Sequence, residues 1–196
     1  MQMSEQAILD VFGMEIDQIK SAAIRRLVLN TLAVAPEYFW DIPASSTGKY
    51  HPAYCVGKGG LVRHTKAAVR IALELFRNES VQAYTDTEKD LIIAALILHD
   101  TCKNGFNPRN HYTVTEHPLL VNELFKKIDL DVESAAHAAF ISGLIAPHMG
   151  QWNSDYKTKK EVLPKPSCRI EIFVHMADYL ASRKCIEINF DAPVSS

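Results

Sequence analysis

Apolar residues recur along most of the chain at intervals of three and four positions, the spacing that places side chains on one face of an α-helix. This spacing predicts helices over residues 4–12, 16–34, 61–76, 86–103, 116–128, 132–145 and 168–184. No alternating apolar and polar pattern precedes residues 185–196, where we expect either a short strand or a frayed tail. The chain is therefore predicted to be all-α, with six or seven helices, and its length predicts a single domain over residues 1–196.

Residues that favour helix ends support several of these boundaries. Thr87 and Ser167 are the expected N-caps of the central and the last helix, and Asp131 is expected to start the helix between them. Asp90 follows Thr87 by three positions and can return a hydrogen bond, as in a capping box. Gly105 is expected to end the central helix, because glycine readily adopts the left-handed conformation found there.

The central predicted helix contains an apolar run of eight residues, 91–98, that ends abruptly in polar groups. Apolar side chains on nearly every side predict a helix that is buried all round. The run is followed at once by His99 and Asp100, and three residues further on by Lys103. Charged groups at the rim of a core must be paired, solvated or bound to a ligand. This end of the helix is therefore a candidate functional site.

Two other polar residues occupy positions where the helical pattern favours aliphatic side chains. His64 lies on the apolar stripe of its predicted helix, and Asp178 interrupts the apolar face of the last one. Taken alone, His64 is more simply explained as a hydrogen-bonded core histidine. Together with His99 and Asp100, however, the set includes two core-facing carboxylates, whose burial without a cation is prohibitive. A divalent metal would account for all four residues; the alternative is that they pair with one another.

The geometry of a helix constrains how His99 and Asp100 can share an ion, because consecutive residues point about 100° apart. Both can reach one metal only in a crevice beside the helix end. Asp100 then leans sideways, and its second oxygen is free to bridge to another ion. His117, at a predicted helix start, and His148, just past a predicted helix end, are suitable ligands for this second cation.

Composition narrows the class of partner and compartment. The formal net charge of −2 and the pI near 6.4 argue against a dedicated duplex-binding protein, which would carry a basic excess. The four cysteines show neither a C-x-x-C pair nor zinc-finger spacing, so we expect buried free thiols in a reducing compartment. Because the sequence shows no signal-peptide pattern and no apolar run of roughly 20 residues, we expect a cytoplasmic protein that does not bind membranes.

The ordered set of histidines and aspartates resembles the HD-domain superfamily of metal-dependent phosphohydrolases. The shared order runs through His64, the H-D-x-x-K sequence His99-Asp100-Thr101-Cys102-Lys103, His117-Pro118, His148 and Ala177-Asp178. The resemblance spans residues 36–184, which would form the core of the domain, with N-terminal helices before it and a short tail after it. It implies the helical HD fold and a hydrolase of the nucleotidase or phosphodiesterase type.

Within this superfamily, the chain is most similar to the HD domain of YhaM-type 3′–5′ exoribonucleases. The similar segments are Tyr50-His51-Pro52-Ala53-Tyr54, Gly59-Gly60-Leu61-Val62-Arg63-His64-Thr65, Leu163-Pro164-Lys165 and Val174-His175-Met176-Ala177-Asp178. Those enzymes carry an additional N-terminal OB-type domain that binds nucleic acid, for which we find no counterpart in this sequence. We therefore expect a small phosphorylated substrate, a nucleotide, or a short single-stranded nucleic acid rather than long RNA.

The resemblance implies a role for each matched ligand. A first divalent metal would be held by His64, His99, Asp100 and Asp178, and a second would involve His117 and His148. One or two ions of manganese, iron, nickel or magnesium fit such mixed nitrogen and oxygen ligands. The reaction would be hydrolysis of a phosphoester of a nucleotide or short oligonucleotide by metal-activated water. Asp100 and Lys103 would be the catalytic residues.

Several cations and one further histidine are candidate substrate contacts, namely Lys103, His51, Arg109 and Lys165. Lys103 lies on nearly the same side of the helix as Asp100 and can reach a phosphate oxygen, although a lysine there also favours the helix dipole. Lys165 belongs to a lysine-rich loop at residues 157–165 that is either merely solvated or in contact with an oligonucleotide. A second class of function stays open, a catalytically inactive HD-fold module that binds nucleotides or regulates a partner.

Overall fold

The computed structural model describes residues 2–45, 48, 51–78, 80, 83–107 and 112–192. These residues form seven α-helices: α1 (Glu5–Ile16), α2 (Ala22–Ala33), α3 (Gly60–Arg77), α4 (Asp86–Leu98), α5 (Val121–Phe125), α6 (Val132–Ile145) and α7 (Arg169–Ala181). Short 3₁₀ segments at Glu37–Trp40, Ala53–Cys55, His117–Leu120 and Gly150–Trp152 connect them. The described residues contain no strand, only an isolated bridge between Ser154 and Glu161, which confirms the predicted all-α class.

Helix α4 is the buried centre of the bundle. All residues at 90–98 are buried, and α4 contacts α2, α3, α6 and α7. Burial of each leucine or isoleucine in it contributes about 1.5–3 kcal/mol, so the apolar run fixes the end of α4 among its neighbours. Within the part of the chain that the structure describes, no helix is both long and apolar enough to cross a membrane.

Helix α4 ends at Leu98, earlier than predicted. The hydroxyl of Thr101 donates to the carbonyl of Leu98 at 2.8 Å, and Nδ1 of His99 lies 2.7 Å from the carbonyl of Leu96. Such side-chain bonds compete with the helical ladder, and the N–H of Thr101 also bonds three residues back, to Leu98. The turns that follow end at Gly105, whose φ of +78° agrees with the prediction. The His-Asp pair therefore lies on a turn at the helix end.

The N-cap of α4 is Thr85, and the prediction of Thr87 is wrong. Glu88 lies three residues after Thr85, and its carboxylate accepts from the N–H of Thr85 at 2.8 Å, which completes a capping box. Asp90 cannot serve this purpose, because its side chain is buried and bonded elsewhere. Thr85 is thus the cap because the residue three positions later is Glu88, whose side chain is longer than that of Asp90, the residue three positions after Thr87.

The sequence predicts separate helices over residues 4–12 and 16–34, but the break between α1 and α2 lies later, at residues 17–21. Asp90 of α4 accepts hydrogen bonds from the N–H groups of Lys20 and Ser21, at 2.9 and 2.7 Å. Ser21 in turn caps α2 by accepting from the N–H of Ile24 at 3.3 Å. A contact between positions about 70 residues apart thus determines where the break lies. Helical periodicity does not reveal such a distant contact.

Two other boundaries also differ from the predictions. The helix predicted at residues 116–128 is the 3₁₀ segment His117–Leu120 followed by the short α5, because the first N–H groups bond three residues back. The N-cap of α7 is Cys168 rather than Ser167. The carboxylate of Glu171 accepts from the N–H groups of both residues, at 3.3 and 2.7 Å, so Ser167 precedes the cap.

The tail that follows α7 is neither a strand nor frayed as far as residue 192. Arg70 of α3, which is buried, donates to the carbonyls of Asn189, Phe190 and Ala192. Its guanidinium also lies 5.2 Å from the centroid of the Phe190 ring. One buried arginine therefore ties the tail to α3.

The free thiols divide into two classes. Cys55 and Cys102 are buried, and burial raises the pKa of each thiol to about 12. Cys168 and Cys185 are exposed, so the prediction of buried thiols is wrong for these two. Cys168 is the N-cap of α7, and Cys185 lies four residues after the end of this helix.

Candidate metal centre

All six predicted ligands meet at one end of α4. They are His64 from α3, His99 and Asp100 from the turn after α4, Asp178 from α7, His117 from its 3₁₀ segment and His148 from the turn after α6. Five of them are at most 2% exposed, and the Asp178 side chain is 17% exposed. The packing of α3, α4 and α7 thus gathers residues that lie more than 100 positions apart in the sequence.

The first cluster consists of His64, His99, Asp178 and one oxygen of Asp100. Nε2 of His64 lies 2.9 Å from Oδ1 of Asp178 and 3.4 Å from Nε2 of His99. Nε2 of His99 lies 3.4 Å from the same Asp178 oxygen. Oδ2 of Asp100 completes the group, 3.8 Å from His64 and 3.6 Å from His99. The ligand atoms of His64, His99 and Asp178 lie close enough together to hold one metal ion, and Oδ2 of Asp100 lies beside this group.

The second cluster consists of His117, His148 and the other oxygen of Asp100. Oδ1 of Asp100 lies 3.0 Å from Nε2 of His117 and 3.9 Å from Nε2 of His148. His99 adjoins this cluster as well, and His99, Asp100 and His148 form a second group with metal-ligand spacing. The two oxygens of Asp100 thus face different clusters, as a bridging carboxylate would.

Three imidazoles are oriented in the same way by the backbone. Nδ1 of His99, His117 and His148 lies 2.7, 2.7 and 2.8 Å from the carbonyl three residues earlier in the chain. A carbonyl only accepts hydrogen bonds, so Nδ1 carries the proton in each ring. In the neutral rings, Nε2 therefore carries an unprotonated lone pair that faces the clusters. This is the orientation that metal-binding histidines need.

The arrangement fits a divalent cation. Oδ1 of Asp100 and Nε2 of His117 are buried, and neither has a hydrogen-bond partner among the described residues. Although these atoms are only 3.0 Å apart, two lone pairs at that distance repel unless a proton or a cation lies between them. Leaving such groups unsatisfied costs about 1–3 kcal/mol each. Imidazole nitrogens with carboxylate oxygens are also the donor set that divalent transition metals prefer.

The charges of the metal-free site are strongly coupled. Burial opposes ionisation of Asp100, yet Lys103 and His99 hold the pKa of this carboxyl well below its usual range. Burial also opposes ionisation of Asp178, but hydrogen bonds from His64 and His99 hold the pKa of this carboxyl well below its usual range. Burial alone would lower the pKa of His99, but the two carboxylates raise it. In contrast, burial and the neighbouring His99 lower the pKa of His148 to about 3, so the ring of His148 is uncharged near pH 7.

The clusters open into a cavity of about 630 Å³. Lys103 lines this cavity, and its Nζ lies 2.5 Å from Oδ2 of Asp100. His51 also lines it, beside the ring of His64 at a centroid distance of 6.0 Å. Two of the four predicted substrate contacts are thus placed where a ligand of the metal site would lie.

The other two predicted contacts are not placed there. Arg109 lies outside the described residues. Lys165 lies on an exposed loop, where its Nζ is 2.6 Å from Oε1 of Glu161, and it is not among the residues that line the cavity. Its contact with substrate stays a prediction.

One wall of the cavity is formed by residues that the sequence pattern does not indicate: Trp152, Tyr179 and Arg183, which we call the aromatic wall. Tyr179 directly follows Asp178, and Trp152 comes four residues after His148. The available signal was this proximity in sequence to two predicted ligands. Aromatic and arginine residues near a helix end are so common on surfaces that the pattern alone does not indicate a site.

A helical bundle that gathers buried imidazoles and carboxylates below an open cavity defines the class as a helical metal-binding protein. The family model described as HD domain matches residues 61–183. This is more than half of the chain, and the chain belongs to the HD domain family. HD domains bind divalent metals and are generally metal-dependent hydrolases. Comparisons with curated proteins and with solved structures found no match.

Proposed function

We propose that this protein is a metal-dependent phosphohydrolase that cleaves a phosphoester of a nucleotide or short oligonucleotide. The observation that carries the proposal is the position of Asp100, whose two oxygens face two sets of buried imidazoles beside an open cavity. Asp100 would thus supply one oxygen to each of two divalent cations, which would stabilise the charge of a phosphoester. We include in this proposal the similarity to YhaM-type exoribonucleases, because their substrate class agrees with it.

Each ligand has a defined place in the proposal. One ion would be held by His64, His99, Asp178 and Oδ2 of Asp100, and another by His117, His148 and Oδ1 of Asp100. A divalent ion bound there supplies Lewis acidity, which stabilises charge on phosphoryl oxygens and lowers the pKa of a coordinated water molecule. The backbone carbonyls that bind Nδ1 of three histidines hold the rings in a fixed orientation, so ion binding requires little rearrangement.

Lys103 has two roles in this proposal. Its ammonium lies 2.5 Å from Asp100 and keeps that carboxylate ionised. Its side chain is also 14% exposed and lines the cavity, so the ammonium can bind a phosphate oxygen as a point charge. Lys103 would orient the phosphate towards the clusters and stabilise the charge that develops on it.

His51 would bind the substrate as a neutral group. Burial, with the nearby His64 and Lys103, lowers the pKa of His51 to about 4, so the ring is uncharged near pH 7. Its Nδ1 is buried and has no hydrogen-bond partner within the described part of the chain. Because His51 lines the cavity, a substrate that contacts its ring would meet an uncharged hydrogen-bonding group.

The charge and size of the cavity favour a small anionic substrate. Apart from histidines, the charged residues that line it within the described part of the chain are Asp100 and Asp178, matched by Lys103 and Arg183. Addition of any divalent cation therefore makes the cavity positive. A volume of about 630 Å³ lies in the usual range of small-molecule sites, roughly 300–1,000 Å³.

The test is hydrolysis of a panel of phosphoesters by protein that has been chelated and then supplied with Mn²⁺, Fe²⁺, Ni²⁺ or Mg²⁺. The panel contains nucleoside monophosphates, a short oligoribonucleotide and bis(p-nitrophenyl) phosphate. We expect metal-dependent cleavage, loss of cleavage with a chelator, and loss in Asp100→Asn with unchanged helical content. Asp129→Asn is the matched control, because Asp129 is exposed and lies outside the cavity.

Cleavage that persists fully in Asp100→Asn, or that needs no metal, would contradict the proposal. Failure of every ester with every metal would favour the inactive binding module.

A further inference from the structure

The aromatic wall has no role in the hydrolysis described above. Trp152 stacks on Tyr179, with ring centroids 5.9 Å apart and ring planes inclined by 17°. The guanidinium of Arg183 lies 4.3 Å from the centroid of Tyr179. Tyr179 is thus covered by two partners, whereas Trp152 is 46% exposed. The open aromatic surface of the wall therefore belongs to Trp152.

The wall adjoins both clusters through the chain itself. Trp152 lies in the 3₁₀ segment that begins two residues after His148, and Tyr179 is the neighbour of Asp178 in α7. All three wall residues line the same cavity as the ligands. A molecule that stacks on Trp152 can therefore extend towards the clusters without leaving the cavity.

Arg183 supplies a charge that the protein does not neutralise locally. Its Nε and Nη2 donate to Oγ of Ser182, at 3.1 and 2.6 Å. No carboxylate lies within ion-pair distance of Arg183 in the described ranges. A guanidinium that lies over a tyrosine ring keeps donors free for an anion and binds phosphate oxygens with directional hydrogen bonds.

We propose, building on the proposed function, that the aromatic wall binds a nucleobase on Trp152 and a phosphate oxygen of the same nucleotide on Arg183. The site would then select nucleotides that bear a base over sugar phosphates of similar charge. Stacking on an aromatic ring tolerates every base, so the wall recognises the presence of a base rather than its identity.

The experiment compares the binding of ribose 5-phosphate with that of the four ribonucleoside 5′-monophosphates. Binding is measured by calorimetry on the full chain, both chelated and supplied with Mg²⁺, so that one arm is independent of turnover. The variants are Trp152→Ala, Trp152→Phe and Arg183→Gln. Tyr156→Ala is the matched control, because Tyr156 is an aromatic residue of the same loop region that is 82% exposed and does not line the cavity.

We expect the wild-type protein to bind nucleotides more tightly than ribose 5-phosphate. Trp152→Ala should reduce this preference by roughly 5- to 150-fold, the worth of one base stack, and Trp152→Phe should retain most of it. Arg183→Gln should weaken binding of both phosphates roughly tenfold or more, and Tyr156→Ala should match the wild type. The chain has two tryptophans, so quenching of fluorescence by nucleotides should disappear in Trp152→Phe.

Equal weakening of nucleotides and ribose 5-phosphate in Trp152→Ala would overturn the proposal, as would the absence of any preference in the wild type. A hydrolysis assay on the same proteins separates this inference from the proposed function. Preferential binding of nucleotides without metal-dependent cleavage would support the role of the aromatic wall and contradict the proposed hydrolase activity. Metal-dependent cleavage without preferential binding of nucleotides would support the hydrolase activity and contradict the role of the aromatic wall.

Discussion

The two clusters differ in what their atoms contact before any metal binds. In the first cluster, His64 and Asp178 lie 2.9 Å apart and form a hydrogen bond. In the second, His117 and Asp100 lie 3.0 Å apart without one. The first cluster is thus partly satisfied by the protein itself, whereas the second keeps buried atoms unsatisfied until a cation binds.

The difference follows from the elements that build each cluster. The first is held by α3, the end of α4 and α7, which pack closely on one another. The second depends on a 3₁₀ segment and on the turn after α6, which carry His117 and His148. We infer that the first cluster is the more strongly organised site and that the second adds to it through the shared Asp100.

The largest expected effect is the loss of the first cluster in Asp178→Asn. This change removes a carboxylate charge while it keeps the shape of the side chain. Since a catalytic ion contributes several kcal/mol, we expect kcat/KM to fall by about a thousandfold or more. Steady-state kinetics with a cleaved ester from the panel measure it, beside the Asp129→Asn control. A loss smaller than tenfold would mean that the first cluster is not the catalytic one.

A smaller effect is expected when the second cluster alone is broken. In His148→Gln the first cluster keeps all its ligands, so we expect activity to fall by about 10- to 100-fold. Calorimetric titration with metal should show one fewer site. His137→Gln in α6 is the matched control, because His137 belongs to neither cluster. Complete loss of metal from His148→Gln would show that the clusters are not separable.

A backbone change can loosen the second cluster without touching a ligand. Gly150 has a φ of +57°, and a Cβ there would lie 2.2 Å from the ring of His175. Nδ1 of His175 donates to the carbonyl of His148 at 2.6 Å. We expect Gly150→Ala to lower the free energy of unfolding by about 1–3 kcal/mol and to weaken binding of the second ion.

The control for this change is Gly143→Ala, where the new Cβ meets nothing within 4 Å. Alanine in a helix should stabilise the protein there, by up to about 1 kcal/mol. Chemical denaturation and metal titration of both variants measure the contrast. Equal stability of the two variants would contradict the inference that His175 holds His148 in position.

The smallest effect is a difference in proton release between the clusters. In the metal-free protein the pKa of His99 is raised above its ordinary 6.5 by the two carboxylates, after the opposing effect of burial. The proton is therefore present below that pKa and must leave when Nε2 binds an ion. The pKa of His148 is about 3, so His148 has no such proton to lose near pH 7.

We expect binding of the first ion to release more than half a proton per chain from His99 at pH 6.5, whereas His148 should release none when the second ion binds. Calorimetry in two buffers with different ionisation enthalpies measures both. No proton release on binding of the first ion would contradict the assignment of His99 to the first cluster. Uptake rather than release would contradict the orientation inferred for His99.

Much of the site is predictable from sequence because its ligands violate the helical pattern. His64 and Asp178 lie where aliphatic residues belong, and His99-Asp100 ends an apolar run. A polar residue on a buried face is costly, so it needs an explanation, and the explanation is the site. The aromatic wall has no comparable signal, because Trp152 and Arg183 are partly exposed and cost nothing where they lie.

The misplaced helix boundaries have a different cause. The break between α1 and α2 depends on Asp90, a tertiary contact with Lys20 and Ser21 that local pattern does not contain. The choice of Thr85 over Thr87 depends on which acidic side chain is left free to complete the cap. Both errors arise because one buried carboxylate serves a distant element rather than its own helix.

The most direct test of the account is the number of metal ions per chain in the wild type, His148→Gln and Asp100→Asn, measured by elemental analysis after reconstitution. Because Asp100 contributes an oxygen to each cluster, we predict about two ions in the wild type, one in His148→Gln and none in Asp100→Asn. Equal metal content in Asp100→Asn and the wild type, with unchanged helical content, would contradict the account.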